Sequence, residues 1–284
     1  MSACLDLHAA PIIDAASASN DTAPAGTPAP RLLAARAVGK RFGSRPAVAD
    51  LDLDLHAGEV LGIVGESGSG KTTLLRMLSG QLVPDAGRIE FATRDAGVVD
   101  LYAMSDPRRR LLMRTDWGYV HQQPRDGLRL EVSAGANIGE RLMAQGARHY
   151  GQIRAAALDW MQRVEIDGAR IDDAPMQFSG GMQQRLQIAR NLVTHPRVVF
   201  MDEPTASLDV SVQARLLDLL RRLVAELHLA AVIVTHDLAV ARLLAHRLMV
   251  MKDGRCVEEG LTDQVLDDPQ HPYTQLLVSS VLQA

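Results

Sequence analysis

Val60-Leu61-Gly62-Ile63-Val64-Gly65-Glu66-Ser67-Gly68-Ser69-Gly70-Lys71-Thr72 is the stretch on which the fold turns. Val60 to Val64 reads as a short apolar strand. Gly65 to Thr72 matches G-x-x-x-x-G-K-[ST] in full. From Thr72 to Ser79 the pattern predicts a helix. Strand, glycine-rich loop and helix in that order open a phosphate-binding α/β unit. The chemistry accounts for the spacing. Glycines let backbone N–H groups turn inward around phosphate oxygens, where a side chain would block them. The helix beyond adds the positive end of its dipole. Gly65, Glu66, Ser67, Gly68, Ser69, Gly70, Lys71, Thr72 and Thr73 are therefore the expected nucleotide-binding residues. Lys71 is expected to reach the β- and γ-phosphates, and Thr72 to ligate Mg²⁺.

Upstream, Leu51, Leu53 and Leu55 alternate with Asp52, Asp54 and His56, the period of a half-buried strand, and Gly58 turns the chain. Downstream, residues 136–165 read as helical, as do Met182 to Leu192 and Gln213 to Leu227. Val198 to Met201 and Ala231 to Val234 read as buried strands. Alternating strands and helices predict an α/β fold with a mostly parallel sheet and helices on its faces. Residues 1–30 are rich in Ala, Pro, Ser and Thr and carry no periodicity. They are expected to form a disordered tail, either a passive extension or a targeting segment.

The chain has 284 residues, 47% hydrophobic and 23% charged, ordinary for a globular protein with ample core. Its net charge of −4 argues against a partner made of nucleic acid, which selects a basic surface. Cys4 and Cys256 lack metal-ligand spacing, and a reduced, cytoplasmic compartment is expected. No apolar run approaches the roughly 18 residues of a membrane span, and the N-terminus lacks the pattern of a secretory signal. Any service to a membrane is expected to run through a partner.

A second cluster lies at Val198-Val199-Phe200-Met201-Asp202-Glu203. A buried parallel strand delivers its C-terminal end to the ligand crevice of an α/β sheet. Asp202 is then expected to reach the magnesium, and Glu203 to polarise an attacking water as general base. Taken alone, an apolar run ending in two carboxylates is a weak signal. Its place after Lys71 strengthens it.

Phe178-Ser179-Gly180-Gly181-Met182-Gln183-Gln184-Arg185 is similar to the signature of ABC ATPases, L-S-G-G-Q followed by Q-R. The rest of that family's set follows in order. Phe42 sits where an adenine-stacking aromatic is expected, and Gln122 resembles the Q-loop residue. Ser207-Leu208-Asp209 resembles the D-loop, and His236 the switch histidine. The departures are mild: Met182 for Gln, Phe42 for Tyr, and His121 at a place often aromatic. The resemblance implies a P-loop NTPase core with an antiparallel β-subdomain and an inserted helical subdomain. The core would span 31–122 and 179–284, and the helical subdomain 123–178. It further implies a head-to-tail dimer with two ATP molecules sandwiched, each between one chain's phosphate loop and the other's Ser179, Gly180 and Gly181. Lys71, Gln122, Glu203 and His236 would be catalytic. Thr72, Gln122 and Asp202 would serve the metal, and His236 would contact the γ-phosphate. The partner would be a second ABC ATPase chain, most simply a second copy.

Within the family, His271-Pro272-Tyr273-Thr274-Gln275-Leu276-Leu277 resembles the ATPase subunits of oligopeptide and dipeptide importers. Residues outside the shared motifs are closer to the ATPase subunits of bacterial carbon–phosphorus lyase systems. They include Leu101 to Ser105, Arg108 to Leu112, Asp126 to Arg129, Asn137 to Ala144, Gly146 to Gly151 and Gln183 to Pro196. That resemblance implies docking on soluble lyase core subunits, with bond cleavage performed elsewhere. The alternative is an importer ATPase working through a separate permease. ABC proteins of translation or DNA repair carry two cassettes or a long coiled-coil insertion, and this chain shows neither. Arg108 to Arg110 fits a solvated helix face better than a docking patch. The Asp126 to Arg129 loop is the better candidate for partner contact.

Overall fold

The structure, a computed structural model, describes residues 29–281. Most of the expected tail, residues 1–28, and Cys4 with it, lies outside the described residues. Pro30 is already held, its carbonyl accepting from the Ala57 amide at 2.9 Å.

The strands are β1 (Arg31–Phe42), β2 (Arg45–His56), β3 (Val60–Val64), β4 (Ala86–Ala92), β5 (Val98–Asp100), β6 (Trp117–Val120), β7 (Val198–Asp202), β8 (Ala230–Val234), β9 (Arg247–Lys252) and β10 (Arg255–Leu261). The helices are α1 (Lys71–Leu78), α2 (Asp106–Thr115), α3 (Pro124–Gly127), α4 (Ala134–Ala144), α5 (Tyr150–Arg163), α6 (Gly180–Leu192), α7 (Val210–Leu227), α8 (Leu238–Leu244), α9 (Thr262–Asp267) and α10 (Pro272–Val281). Two sheets result. One is antiparallel, in the order β2-β1-β4-β5. The other runs β10-β9-β3-β8-β7-β6, parallel throughout except for β10, which returns antiparallel beside β9.

The parallel strands are short and apolar because both of their faces are covered. Every residue of β3, β7 and β8 is buried. In β2 only alternate residues point inward, and Leu51, Leu53 and Leu55 are each at most 2% exposed. Residues 136–165, expected as one helical stretch, form two helices. Gly146 takes φ +102° between them, a left-handed turn that a helix cannot contain. Residues 124–177 contain helices and no strand, and α4 and α5 pack on α6 through Ile138, Ala157, Trp160 and Leu186. On α2, Arg108 pairs at 3.8 Å with the exposed Asp95. Arg109 bonds Asp106 at 2.6 Å and lies over the Tyr102 ring. These contacts account for two of the three arginines as an ordinary helix face.

Parallel register brings strand ends level. Val120 lies opposite Met201, and Asp202 opposite Val234, which in turn pairs with Ile63. The residues that follow β3, β6, β7 and β8 therefore emerge along one rim of the sheet, where α/β folds hold their ligands.

The two sheets share a core. Phe91 of β4 meets Trp117 of β6 edge to face, centroids 5.1 Å apart, and Trp117 meets Phe200 of β7 at 5.5 Å. Phe91 and Phe200 are completely buried, and Trp117 is 2% exposed. Such aromatic pairs add about 0.5–1.5 kcal/mol each beyond their buried area. Phe91→Ala is expected to destabilise the fold by about 3–5 kcal/mol. A urea titration followed by far-UV circular dichroism should show a clearly lower midpoint. An unchanged midpoint would mean that this staple does not join the sheets.

Candidate functional site

The turn from β3 into α1 is closed by glycine at two places. Gly65 has φ +147°, and a Cβ there would lie 2.2 Å from the Met251 carbonyl oxygen. Gly70 has φ +102°, and a Cβ there would lie 2.1 Å from the Ala47 carbonyl oxygen. Neither neighbour is a flexible side chain, so both positions demand glycine sterically as well as conformationally. The loop then enters α1 with its first amides free for an anion.

A cleft of about 560 Å³ lies in front of this loop. Of the expected nucleotide-binding residues, Phe42, Ser67, Gly68, Gly70, Lys71, Thr72 and Thr73 line it, together with Gln122, Glu203, Arg45, Pro46 and Ala47. Gly65, Glu66 and Ser69 do not line it: Gly65 and Ser69 are buried, and Glu66 is exposed. Phe42 is 57% exposed at the mouth, an aromatic face without an intramolecular stacking partner among the described residues. Lys71 is buried and donates from Nζ to the Gly65 carbonyl at 2.7 Å and the Glu66 carbonyl at 2.8 Å. Burial lowers its pKa, while the carboxylates of Glu203, Asp202 and Glu66 pull it back up.

The acidic pair sits where β7 ends. Asp202 Oδ1 accepts from the Thr72 hydroxyl at 3.0 Å, and Oδ2 lies 3.4 Å from the Tyr119 hydroxyl. Burial raises the Asp202 pKa, with the Thr72 hydrogen bond opposing. Glu203 takes φ +44°, a left-handed conformation that costs a non-glycine residue about 1–2 kcal/mol. Its amide donates to the Val234 carbonyl at 2.9 Å, which secures the turn. The carboxylate is held from two sides, by Gln122 Nε2 at 3.2 Å and by His236 Nδ1 at 3.1 Å. Lys71, Thr72, Gln122, Asp202, Glu203 and His236 are thus gathered along the rim, although they span 166 positions of sequence, from 71 to 236.

Ser179, Gly180 and Gly181 do not join them: none lines the cleft. They start α6, where Ser179 Oγ accepts from the Met182 amide at 3.3 Å, and Ser179 and Gly180 are exposed. A single chain therefore presents an anion-binding cradle and, apart from it, an exposed helix start. No helix of the described residues is long and apolar enough to cross a membrane.

Some supporting contacts carry no sequence signal. Gln187 accepts from the His121 amide at 2.6 Å, and Asn191 both accepts from the Tyr119 amide and donates to its carbonyl at 3.0 Å. These side chains of α6 fix the strand that delivers Gln122. Gln187 and Asn191 could be placed there only by knowing which strand the helix covers.

Comparison with known proteins places the chain in a family. The ABC transporter family pattern matches residues 48–206, more than half of the chain, and the oligopeptide/dipeptide transporter C-terminal region matches residues 257–284. The phosphonates utilization ATP-binding protein PhnK of Escherichia coli (strain K12) is 71% identical over 234 residues, covering 82% of this chain and 91% of the relative. The dipeptide transport ATP-binding protein DppF of the same organism is 38% identical, covering 82% and 68%. Among solved structures, the dimeric bacterial ABC transporter cassette MJ0796 superposes with a TM-score of 0.73 at 29% identity, covering 81% of this chain and 99% of that one. Its dimer in a post-hydrolysis state bound to ADP and Pi gives 0.72 with the same coverage. With the phosphate loop, the acidic strand end and the helix start in place, the chain belongs to the ABC transporter family of ATP-binding proteins and is an ABC ATPase.

Proposed function

We propose that the chain binds ATP with Mg²⁺ in the cleft before the phosphate loop and hydrolyses it against a second copy packed head to tail. We further propose that it serves as the ATPase of a soluble, cytoplasmic carbon–phosphorus lyase assembly that consumes phosphonates. The catalytic half of this reading rests on the clamp on Glu203 at the cleft wall. The choice of assembly rests on 71% identity to a phosphonate-utilization relative.

Each residue then has a task. Phe42 stacks on adenine, and the amides from Ser67 to Thr73 cradle the phosphates. Lys71 exchanges its two loop carbonyls for β- and γ-phosphate oxygens. Glu203, aimed by Gln122 and His236, takes the proton of the attacking water as general base. His236, 3.1 Å from that carboxylate, would also contact the γ-phosphate. Thr72 and Asp202 form a hydroxyl–carboxylate pair of hard oxygen donors, which suits Mg²⁺. The described residues hold no cluster of three His, Cys, Asp or Glu, as befits an ion bound mainly by phosphate and water. When bound, that ion supplies charge neutralisation at the β- and γ-oxygens. Gln122 holds Glu203 at 3.2 Å and would also serve the metal. Ser179, Gly180 and Gly181 of one copy face the γ-phosphate held by the other. In this reading residues 31–122 and 179–284 form the nucleotide-binding core, and 123–178 the subdomain that meets the partner.

A second reading has its own support. The C-terminal match to oligopeptide/dipeptide transporters and the 38% identity to DppF favour an importer ATPase coupled to a permease. The two share every catalytic residue and differ only in the partner.

Lys71→Ala removes a charge-assisted contact worth about 1.5–3 kcal/mol, so MgATP affinity should fall roughly ten- to a hundredfold by calorimetry. Unchanged affinity would remove Lys71 from the site. Glu203→Gln should hold MgATP about as tightly as the parent while turnover falls by roughly 10²–10⁴. Light scattering should then find a dimer with MgATP and a monomer without. Normal turnover would end the role of Glu203 as base. Tagged Glu203→Gln, recovered with MgATP from its own cells, should bring down soluble lyase subunits. Recovery of a permease from the membrane fraction would establish the importer instead.

A further inference from the structure

The sequence His271-Pro272-Tyr273 lies far from every nucleotide-binding motif, yet it ends on the phosphate loop. Tyr273 is 5% exposed, and its hydroxyl accepts a hydrogen bond from the Glu66 backbone amide at 3.0 Å. The carbonyl of that same Glu66 accepts from Lys71 Nζ at 2.8 Å. One residue of the loop is thus gripped on its amide side by the C-terminal helix and on its carbonyl side by the catalytic lysine.

The placement of the tyrosine is itself secured. Glu258 on β10 accepts from the amides of Gln270 and His271 at 2.8 and 2.9 Å. His271 Nδ1 accepts from the Tyr273 amide at 3.1 Å, and Pro272 fills the first helical position, where no amide is needed. Lys252, at the end of β9, lies over the Tyr273 ring at 4.8 Å. Its neighbour Met251 supplies the carbonyl that closes on Gly65. Gly254, in the turn after β9, donates to the Ser69 carbonyl at 3.0 Å. The loop is braced from outside by the β9–β10 hairpin and by α10. Tyr273 provides the side-chain hydroxyl of that brace.

We propose that Tyr273 is a positioning residue for the phosphate loop: its hydroxyl sets the Gly65–Glu66 peptide so that the loop amides and Lys71 face the phosphates. The proposal rests on the reading of the cleft as the ATP site. A loop amide that loses an outside acceptor turns more freely. The cradle is then less preorganised for phosphate, a loss felt in binding before chemistry. Through this contact, displacement of α10 changes ATP affinity without touching Glu203.

Tyr273→Phe keeps the ring and its packing and deletes only the hydroxyl. In the full-length protein, KM for MgATP and Kd for MgADP should rise roughly three- to tenfold, the range for loss of one such hydrogen bond, while kcat stays within about twofold. Hydrogen–deuterium exchange should show the Glu66 amide exchanging faster by a similar factor, with the amides of α10 as protected as before. Unaltered KM, Kd and Glu66 exchange would overturn the proposal. So would loss of protection along α10, which would make Tyr273 a packing residue. Failure of the unmodified protein to bind MgADP would sink the ATP reading, while Glu66 exchange would still report on the tyrosine contact.

Discussion

Parallel pairing of β3, β7 and β8 is the constraint from which the rest of the molecule follows. A parallel strand cannot return by a tight turn, so each needs a crossover, and each crossover leaves from the same rim. Because Asp202 is level with Val234, and Val234 with Ile63, the three departing segments start together. One becomes a glycine cradle, one a pair of carboxylates, one a histidine turn. The chemistry is a consequence of where strands stop, and the buried apolar residues of those strands hold it in register.

The same geometry separates what one chain can complete from what it cannot. Cradle, acid pair and histidine share a rim, whereas Ser179 and the two glycines after it begin a helix elsewhere. The α6 helix ties these halves mechanically. Its first turn offers Gly180 to solvent, and its later turns hold the backbone of Tyr119 and His121 through Asn191 and Gln187. The helix thus runs from that exposed start to the residues that hold the strand leading to Gln122.

Much of this was legible in the chain because it depends on local order. The run Gly65 to Thr72 carries its own steric logic, and Val198 to Glu203 carries its burial pattern. What remained hidden depends on distant neighbours. Leu32 to Ala35 are buried consecutively, because β1 is covered on both faces, so no alternation marks that strand. The break at Gly146 lies in a stretch whose apolar spacing continues on both sides. Nothing in the sequence marks Tyr119 until Asp202 is seen beside it. Tyr273 reads only as part of a stretch with a family resemblance until the loop it touches is known. In each case the missing information is which element packs on which, and no periodicity encodes that.

The braces on the phosphate loop also bear on the birth of the protein. The strands flanking β3 are β8 and β9, and Met251, Gly254 and Tyr273 press on the loop from still later in the chain. The loop itself leaves the ribosome roughly 160 to 200 residues before them, at least several seconds at ordinary rates of synthesis. During that interval the glycine-rich segment has neither of the strands that flank β3, and of the two carbonyls that close on it only that of Ala47 has been made. A nascent chain halted anywhere before β9 would thus carry the most recognisable nucleotide motif of the molecule without the contacts that brace it.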